Sequence, residues 1–167
     1  MNTSNTTTFQ RLLPLLCLLL ASSVANAKTH PSYLTPKYCE SLTEQFVDNG
    51  MRSLGKYVND NFQPEFTGGI RNTIDFLEKR SSWLSECNDY LLDTHNSSVF
   101  YSATLTREIF AAMEALAKEL QHVREGVEYT DDSGNNNPKP VIKSRFDTLA
   151  KLVDQHHTQI LLRKQFQ

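Results

Sequence analysis

The sequence predicts an all-α fold, an antiparallel four-helix bundle closed by one disulfide. Three observations predict it. Apolar side chains recur at alternating intervals of three and four residues in four stretches, two of the connections between these stretches are short and one is long, and two cysteines lie symmetrically about the first connection. An irregular packing of three or four helices is the alternative that the same pattern allows.

The first 27 residues have the pattern of a cleavable signal peptide. Arg11 precedes an apolar run from Leu12 to Ala21, and Ala25-Asn26-Ala27 has the small-x-small pattern of a cleavage site. The run is shorter than the about 20 residues of a membrane span. Cleavage would leave one helical domain, residues 28–167, without an integral membrane segment. We therefore expect a periplasmic or secreted protein, and we favour the periplasm.

Two cysteines, Cys39 and Cys87, remain after such cleavage. An even number of cysteines in an exported protein predicts a disulfide. The two positions are equally far from residue 63, where Pro64 and the pair Gly68-Gly69 predict a turn. Residues equally far from the turn of a helical hairpin meet, so the two sulfurs should bond and join the open end of the hairpin.

Start and stop signals bound the first two helices. Thr35 as N-cap and Pro36 at the first helical position predict that the first helix begins there and runs to about residue 61. Ser41 and Glu44 offer an alternative capping box one turn later. The second should run over residues 69–93, with Trp83 and Tyr90 widening its buried face. Gly50 lies on the apolar stripe of the first helix, where it allows close approach of another helix, marks a bend or is simply a tolerated glycine.

The other two helices are separated by a long connection. Ser97 or Ser98 is available to cap the third helix, whose apolar stripe extends from Leu105 to Val127, and the fourth begins near Pro140. Residues 128–139 are acidic and rich in asparagine, so we expect a flexible loop. One hypothesis makes residues 131–137 a recognition loop that orders when a partner binds.

Composition and motifs exclude several classes of function. The formal net charge is −2, with 17 basic and 19 acidic side chains, which is unlike the basic footprint of a nucleic-acid-binding protein. The chain lacks the Gly-x-Ser-x-Gly nucleophile motif, a phosphate-binding glycine motif and the Cys-x-x-Cys-His motif for covalent haem. We therefore expect no enzymatic activity and no nucleic-acid partner.

Glu119, His122 and His157 are weak candidates for metal binding. Di-metal bundles use Glu-x-x-His pairs on two helices, because residues three apart project to one side. Asp154 and His157 on the fourth helix imitate such a pair. The apolar stripes place Glu119 at the margin of the core and Asp154 outside it, so the pairs should not converge, and we expect no metal cofactor.

His156 lies on the apolar stripe of the fourth helix and is the candidate for an alternative function. Together with Met113 or Met51 it could ligate a b-type haem or hold another small ligand inside the bundle. A core histidine that is hydrogen-bonded to a neighbour is the more common arrangement. The leading expectation is accordingly a protein without a cofactor.

Aromatic residues mark two candidate surfaces. Phe62 and Phe66 flank the first turn and predict either a partner-binding surface or a cap on that end of the core. Phe100 and Tyr101, near His95, allow the same two interpretations at the other end.

These features together favour a non-enzymatic, exported interaction protein. A small exported helical domain with two such cysteines is loosely similar to periplasmic acid-stress chaperones and to helical immunity proteins against secreted toxins. The resemblance covers only Cys39, Cys87 and the helical setting. It implies a chaperone, an inhibitor or immunity protein, or an accessory factor with a protein partner in the cell envelope.

Overall fold

The computed structural model describes residues 29–166, and over that range the chain is all-α. The candidate signal peptide, residues 1–27, lies outside the described residues. Helix α1 covers residues 36–61, and the other three helices are α2 (Thr67–His95), α3 (Ala103–Arg124) and α4 (Lys139–Gln165). The predicted number of helices is confirmed, and the predicted ends differ from the observed ones by a few residues.

Helix α1 contains two π-helical segments that the sequence analysis did not predict. It consists of Pro36–Gln45, the π segment Phe46–Gly50, Met51–Lys56 and the π segment Tyr57–Asn61. Buried residues recur every four positions along it: Leu42, Phe46, Gly50, Leu54, Val58 and Phe62. In an α-helix of 3.6 residues per turn such a row drifts by about 40° per turn. The wider π turns offset that drift and keep the row facing the core.

Side-chain caps and left-handed residues set the helix ends. Thr35 caps α1 as predicted, with its Oγ1 accepting from the backbone N–H of Tyr38 at 3.1 Å. The prediction of Ser97 or Ser98 as the cap of α3 was wrong, because Ser102 accepts from the N–H of Leu105 at 3.1 Å. A cap lies just before the first helical residue, and that residue is Ala103.

Helix α3 ends one turn earlier than its apolar stripe suggested. Its last residue is Arg124, and Gly126 follows with a φ of 81°, a left-handed conformation that suits glycine and terminates helices. Val127, predicted as part of the buried stripe, is therefore 46% exposed. That prediction was wrong, because an apolar residue that continues the period is buried only while the helix continues.

Three contacts define how α1 lies on α2. Cys39 and Cys87 form a disulfide with a Cα–Cα distance of 5.4 Å. A Cβ on Gly50 would lie 3.2 Å from Cζ of Phe76, and one on Gly69 would lie 3.3 Å from Cε2 of Tyr57. In each of these three pairs the two residues are equally far from residue 63, which is the symmetry that the sequence predicts for a hairpin. The predicted disulfide is confirmed, and Gly50 provides the close helix approach.

A second glycine of α1 brings α4 close. A Cβ on Gly55 would lie 3.1 Å from Cζ of Phe146, a buried ring of α4. Contacts between helices link α1 to α2, α2 to α3, α3 to α4 and α4 back to α1. The buried apolar side chains of all four helices form one core. Gly50 and Gly55 therefore give the first helix its two close neighbours.

The prediction that Trp83 widens the buried face of α2 was wrong. The indole is 45% exposed, and the guanidinium carbon of Arg80 lies 5.2 Å from the ring and 5.7 Å from that of Phe76. Tyr90, by contrast, is partly buried against the core. The arginine stacks with both rings on the surface of α2, an arrangement that retains favourable cation–π contacts without burial.

The long connection is a hydrogen-bonded loop. The N–H of Asn137 donates to the carbonyl of Tyr129 at 2.8 Å, and Thr130 forms a single β-bridge with Asn136. Asp131 Oδ1 accepts from the N–H groups of Ser133 and Asn135, each at 2.9 Å. Most of the loop is exposed, as predicted, and its flexibility stays a prediction.

Reducing the disulfide should remove a large part of the stability. The bond joins residues 48 positions apart, and in the chain-entropy model closing such a loop stabilises the fold by about 4 kcal/mol. The double variant Cys39→Ser/Cys87→Ser should lose a similar amount, measured by urea unfolding of oxidised protein. Equal unfolding midpoints for the wild type and the variant would contradict this role.

Candidate functional site

The two phenylalanines at the α1–α2 turn differ in burial. At the α1–α2 turn, Phe62 is buried and packs edge-on against Tyr57 with ring centroids 5.9 Å apart. The interpretation of Phe62 as partner surface was therefore wrong; it caps the core. Phe66 is 62% exposed and lies over Gly68 and Gly69, where added Cβ atoms would be 3.3 and 3.2 Å from its ring. Of these two residues, only Phe66 is exposed and available to a partner.

At the other end, Phe100 closes the core and fixes His156. The Phe100 ring is 2% exposed and contacts the rings of Phe46, Phe110 and His156, with centroids 6.3, 6.1 and 5.2 Å away. The N–H of Tyr101 donates to Nδ1 of His156 at 3.0 Å. Nδ1 acts as an acceptor, so the neutral ring carries its proton on Nε2. Burial lowers the pKa of His156, and the nearby His157 lowers it further.

The two methionines considered as partners of His156 line two different grooves. Met113 is 1% exposed and lines a groove between α2 and α3. Met51 lines a smaller groove between α1 and α4, together with His157. His156 itself packs on Phe100 and accepts a hydrogen bond. His156 therefore lies at the edge of the core, with its Nδ1 atom already hydrogen-bonded to the backbone.

Glu119 is the centre of a polar cluster that ties the long loop and α4 to α3. Its Oε2 accepts from the hydroxyl of Tyr129 at 2.7 Å, and its Oε1 accepts from Nη2 of Arg145 at 3.0 Å. Nδ1 of His122 lies 3.7 Å from Oε2. The Tyr129 hydrogen bond and the Arg145 guanidinium lower the pKa of Glu119. Burial and the same hydrogen bond raise the pKa of Tyr129 to about 12.

This cluster accounts for two of the three metal candidates. Glu119 and His122 come together, but the carboxylate is engaged by a phenol and a guanidinium. His157 is exposed and lies in the α1–α4 groove beside Asp48 and Asp154. Over residues 29–166, no three histidine, cysteine or acidic side chains form a ligand set for a metal ion.

A groove lies between α2 and α3, and we call it the α2–α3 groove. Its volume is about 740 Å³. Its floor is apolar, and the small side chains Ser81 and Ser85 lie along its α2 side. Exposed charges of both signs border it, and none of them forms an ion pair with another described residue. The apolar lining consists of Leu77, Phe110, Ala111, Met113 and Ala117, of which Leu77 and Met113 are buried and Ala111 is exposed, and the charged lining consists of Glu78, Arg107, Glu114 and Lys118.

Comparison with known proteins gives no match: no family model, no curated protein and no solved structure is similar to this chain. Within the part of the chain that the structure describes, no helix is both long and apolar enough to cross a membrane.

Sequence reasoning missed the groove and the partners of Glu119. Small side chains from both helices line the groove, Ser81 and Ser85 from α2 and Ala111 and Ala117 from α3. The four-residue spacing of the two serines is visible in the sequence, but the residues of α3 that lie beside them are not. Arg145 is 26 residues from Glu119, and no local pattern joins them.

Protonation of His156 should destabilise the protein. Its folded-state pKa lies below the ordinary value of 6.5, so the unfolded chain binds more protons and stability falls as pH decreases through 6.5. His156→Leu should lower the free energy of unfolding by about 1 kcal/mol at pH 8, because the Tyr101 N–H loses its acceptor. It should also weaken the dependence on pH, as measured by urea unfolding at pH 5.5 and pH 8.

His157→Leu is the matched control, since His157 is an exposed neighbour on the same helix. It should retain most of the pH dependence. A wild-type free energy of unfolding that does not change between the two pH values would contradict the assignment.

Tyr129 should anchor the long loop. Tyr129→Phe removes the hydroxyl that donates to Glu119, and we expect a loss of about 1 kcal/mol and faster amide exchange in residues 131–136. Tyr101→Phe is the control, because the Tyr101 hydroxyl forms no hydrogen bond with the described residues. Unchanged exchange in the loop of Tyr129→Phe would show that other bonds hold it.

Proposed function

We propose that this chain is an exported, non-enzymatic interaction protein that binds a helical segment of a protein partner in the cell envelope. The binding site would be the α2–α3 groove. The observation that carries the proposal is the form of this groove: an apolar floor, small side chains along its α2 side and charges of both signs at its border.

An antiparallel four-helix bundle is the architecture that this proposal uses. In three contacting pairs of α1 and α2 the two residues are equally far from residue 63, which supports opposite directions for these helices. For α3 and α4, Glu119 contacts Arg145 and the earlier Tyr101 contacts the later His156, which supports opposite directions for these two helices as well. In such a bundle the outer groove between two neighbouring helices is the place where one more helix can pack.

Export is supported by the first 27 residues and by the disulfide. The signal pattern ends at Ala27, and the disulfide between Cys39 and Cys87 has both cysteines fully buried. Disulfides persist in oxidising compartments such as the periplasm. A periplasmic location fits both features.

The surroundings of the polar side chains support a non-enzymatic role. Glu119 is held by Tyr129 and Arg145, and the Nδ1 atom of His156 is held by the Tyr101 N–H. General acid or base catalysis needs a group that is free to exchange a proton with a substrate. These two candidates are used to join helices and a loop.

A protein helix fits the groove better than a small molecule does. The groove runs along two helices and has the exposed Ala111 on its surface, whereas small-ligand sites enclose most of the ligand. Helix-in-groove recognition uses apolar anchors on one face of the bound helix. The border charges Glu78, Arg107, Glu114 and Lys118 would select its orientation through opposite charges.

Photo-crosslinking in the compartment of origin tests this proposal. A benzophenone amino acid at Ala111 should give a discrete crosslinked product with one partner protein. The same amino acid at Ser144, an exposed position of α4, should give none. Two substitutions test the groove further. Leu77→Glu would place a charge on its floor, and Ala111→Arg would fill it with a long side chain. Because Ala111 is exposed, Ala111→Arg should abolish co-purification of the partner while the thermal unfolding midpoint stays within a few degrees.

Native mass spectrometry of the recovered protein supplies the accompanying test. A mass that begins at Lys28 and is two hydrogens light would support export and the disulfide. A crosslinked product from Ser144 alone, or none from either position, would overturn the groove as binding site. Additional mass equal to haem, metal or a small molecule would instead favour the ligand hypothesis at His156.

A further inference from the structure

The last two turns of α4 carry apolar side chains that the core does not cover. Burial along the core-facing side decreases from Leu149 and Val153, which are buried, to Ile160, which is half-buried. Beyond that point, Leu161 is 48%, Leu162 43% and Phe166 87% exposed. Single exposed apolar residues are common on protein surfaces, but three large ones within six residues form a patch.

Basic residues accompany these apolar side chains. Arg163 and Lys164 are exposed and form no ion pair with any other described residue. Residues 155–166 contain no aspartate or glutamate. Two carboxylates at the end of α2 already have partners: Glu86 accepts from the Tyr33 hydroxyl at 2.8 Å, and Asp93 lies 3.0 Å from Nε2 of His30. The uncompensated charge on the end of α4 is positive.

The apolar and basic residues occupy separate parts of the helix circumference. At about 100° per residue, Leu162 and Phe166 lie about 40° apart and Leu161 lies about 100° from Leu162. Arg163 follows about 60° beyond Phe166, and Lys164 lies about 60° beyond Leu161 on the other side. Gln165 lies about 40° from Leu161 inside the same arc, so the arc contains three large apolar side chains and one uncharged polar side chain. An arc of this kind flanked by long basic side chains is typical of a helix that lies in a membrane interface.

We propose that this end of α4 docks on an anionic lipid surface. Leu161, Leu162 and Phe166 would enter the boundary between head groups and acyl chains, and Arg163 and Lys164 would contact lipid phosphates. The inference is independent of the α2–α3 groove and adds a second binding surface. It would hold the protein at the membrane while the groove engages its partner.

The same charges disfavour a second copy of the chain as the occupant. A symmetric pair of α4 ends would bring the exposed Arg163 and Lys164 of both copies into one interface, and residues 155–166 supply no carboxylate to oppose them. Like charges that meet across an interface weaken it, whereas an anionic bilayer neutralises them. The charge of the patch therefore selects the lipid.

A tryptophan placed at the patch tests the proposal directly. The chain has one tryptophan, so Trp83→Phe/Phe166→Trp moves the only indole to the end of α4. The protein is produced from the full chain and recovered from its own compartment. With phosphatidylglycerol vesicles its emission should shift to the blue and be quenched by bromolipids, whereas phosphatidylcholine vesicles should leave it unchanged. About 0.5 M salt should reverse much of the shift, because salt screens exposed charges.

Two double variants and two matched controls assign the effect to α4. Leu161→Ser/Leu162→Ser and Arg163→Glu/Lys164→Glu should each lower partitioning to the anionic vesicles by roughly tenfold or more. Val127→Ser, an exposed apolar position at the other end, and Arg52→Glu/Lys56→Glu, with an equal change in charge, should bind as the wild type does. Thermal unfolding should be unchanged in all four.

Two results would overturn the proposal. One is an emission spectrum of the relocated tryptophan that anionic vesicles do not change. The other is a dimer, seen by light scattering without lipid, that Leu161→Ser/Leu162→Ser dissociates while no variant binds vesicles; the patch would then belong to a second copy. Crosslinking from Ala111 does not depend on either result.

Discussion

The disulfide between Cys39 and Cys87 and the turn at the other end of the hairpin together set the register of α1 against α2, and the rest of the core depends on that register. With both ends joined, Gly50 meets the ring of Phe76 and Gly69 meets that of Tyr57. A shift by one residue would place a side chain where each glycine now allows contact, and a Cβ 3.2 to 3.3 Å from a ring would require that ring to move by a few tenths of an ångström. The same helix presents Gly55 to Phe146, so the register also positions α4.

Helix α1 needs this support because it is not a regular α-helix. Its buried residues repeat every four positions, and the two π segments keep them in line at the cost of less favourable backbone geometry. A helix of this kind gains its stability from tertiary contacts more than from intrinsic propensity. The disulfide lowers the conformational entropy of the unfolded chain. Gly50 and Gly55 allow close packing of α1 against α2 and α4.

The chemically versatile side chains are used to join elements. Glu119 links α3 to the long loop through Tyr129 and to α4 through Arg145, and His156 links α4 to the segment before α3. What remains for recognition is surface: the α2–α3 groove and the end of α4. One is apolar with charges of both signs at its border, and the other is apolar with basic flanks. We propose a different kind of partner for each surface, a protein helix for the groove and an anionic membrane for the end of α4.

The sequence by itself determined the helical class, the disulfide and the hairpin register, because each follows from local periodicity or from symmetry about one turn. Its four-residue repeat in α1 also contained the signal for the π segments, which a search for α-helical spacing passes over. Only the tertiary structure decided that Phe62 is buried, that Trp83 is exposed and that Glu119 meets Arg145. Those outcomes depend on which helix faces which, and periodicity defines the faces of a helix without naming its neighbour. The end of α4 shows the same limit: the pattern predicts an amphipathic helix, but only packing shows where its core-facing stripe ceases to be covered.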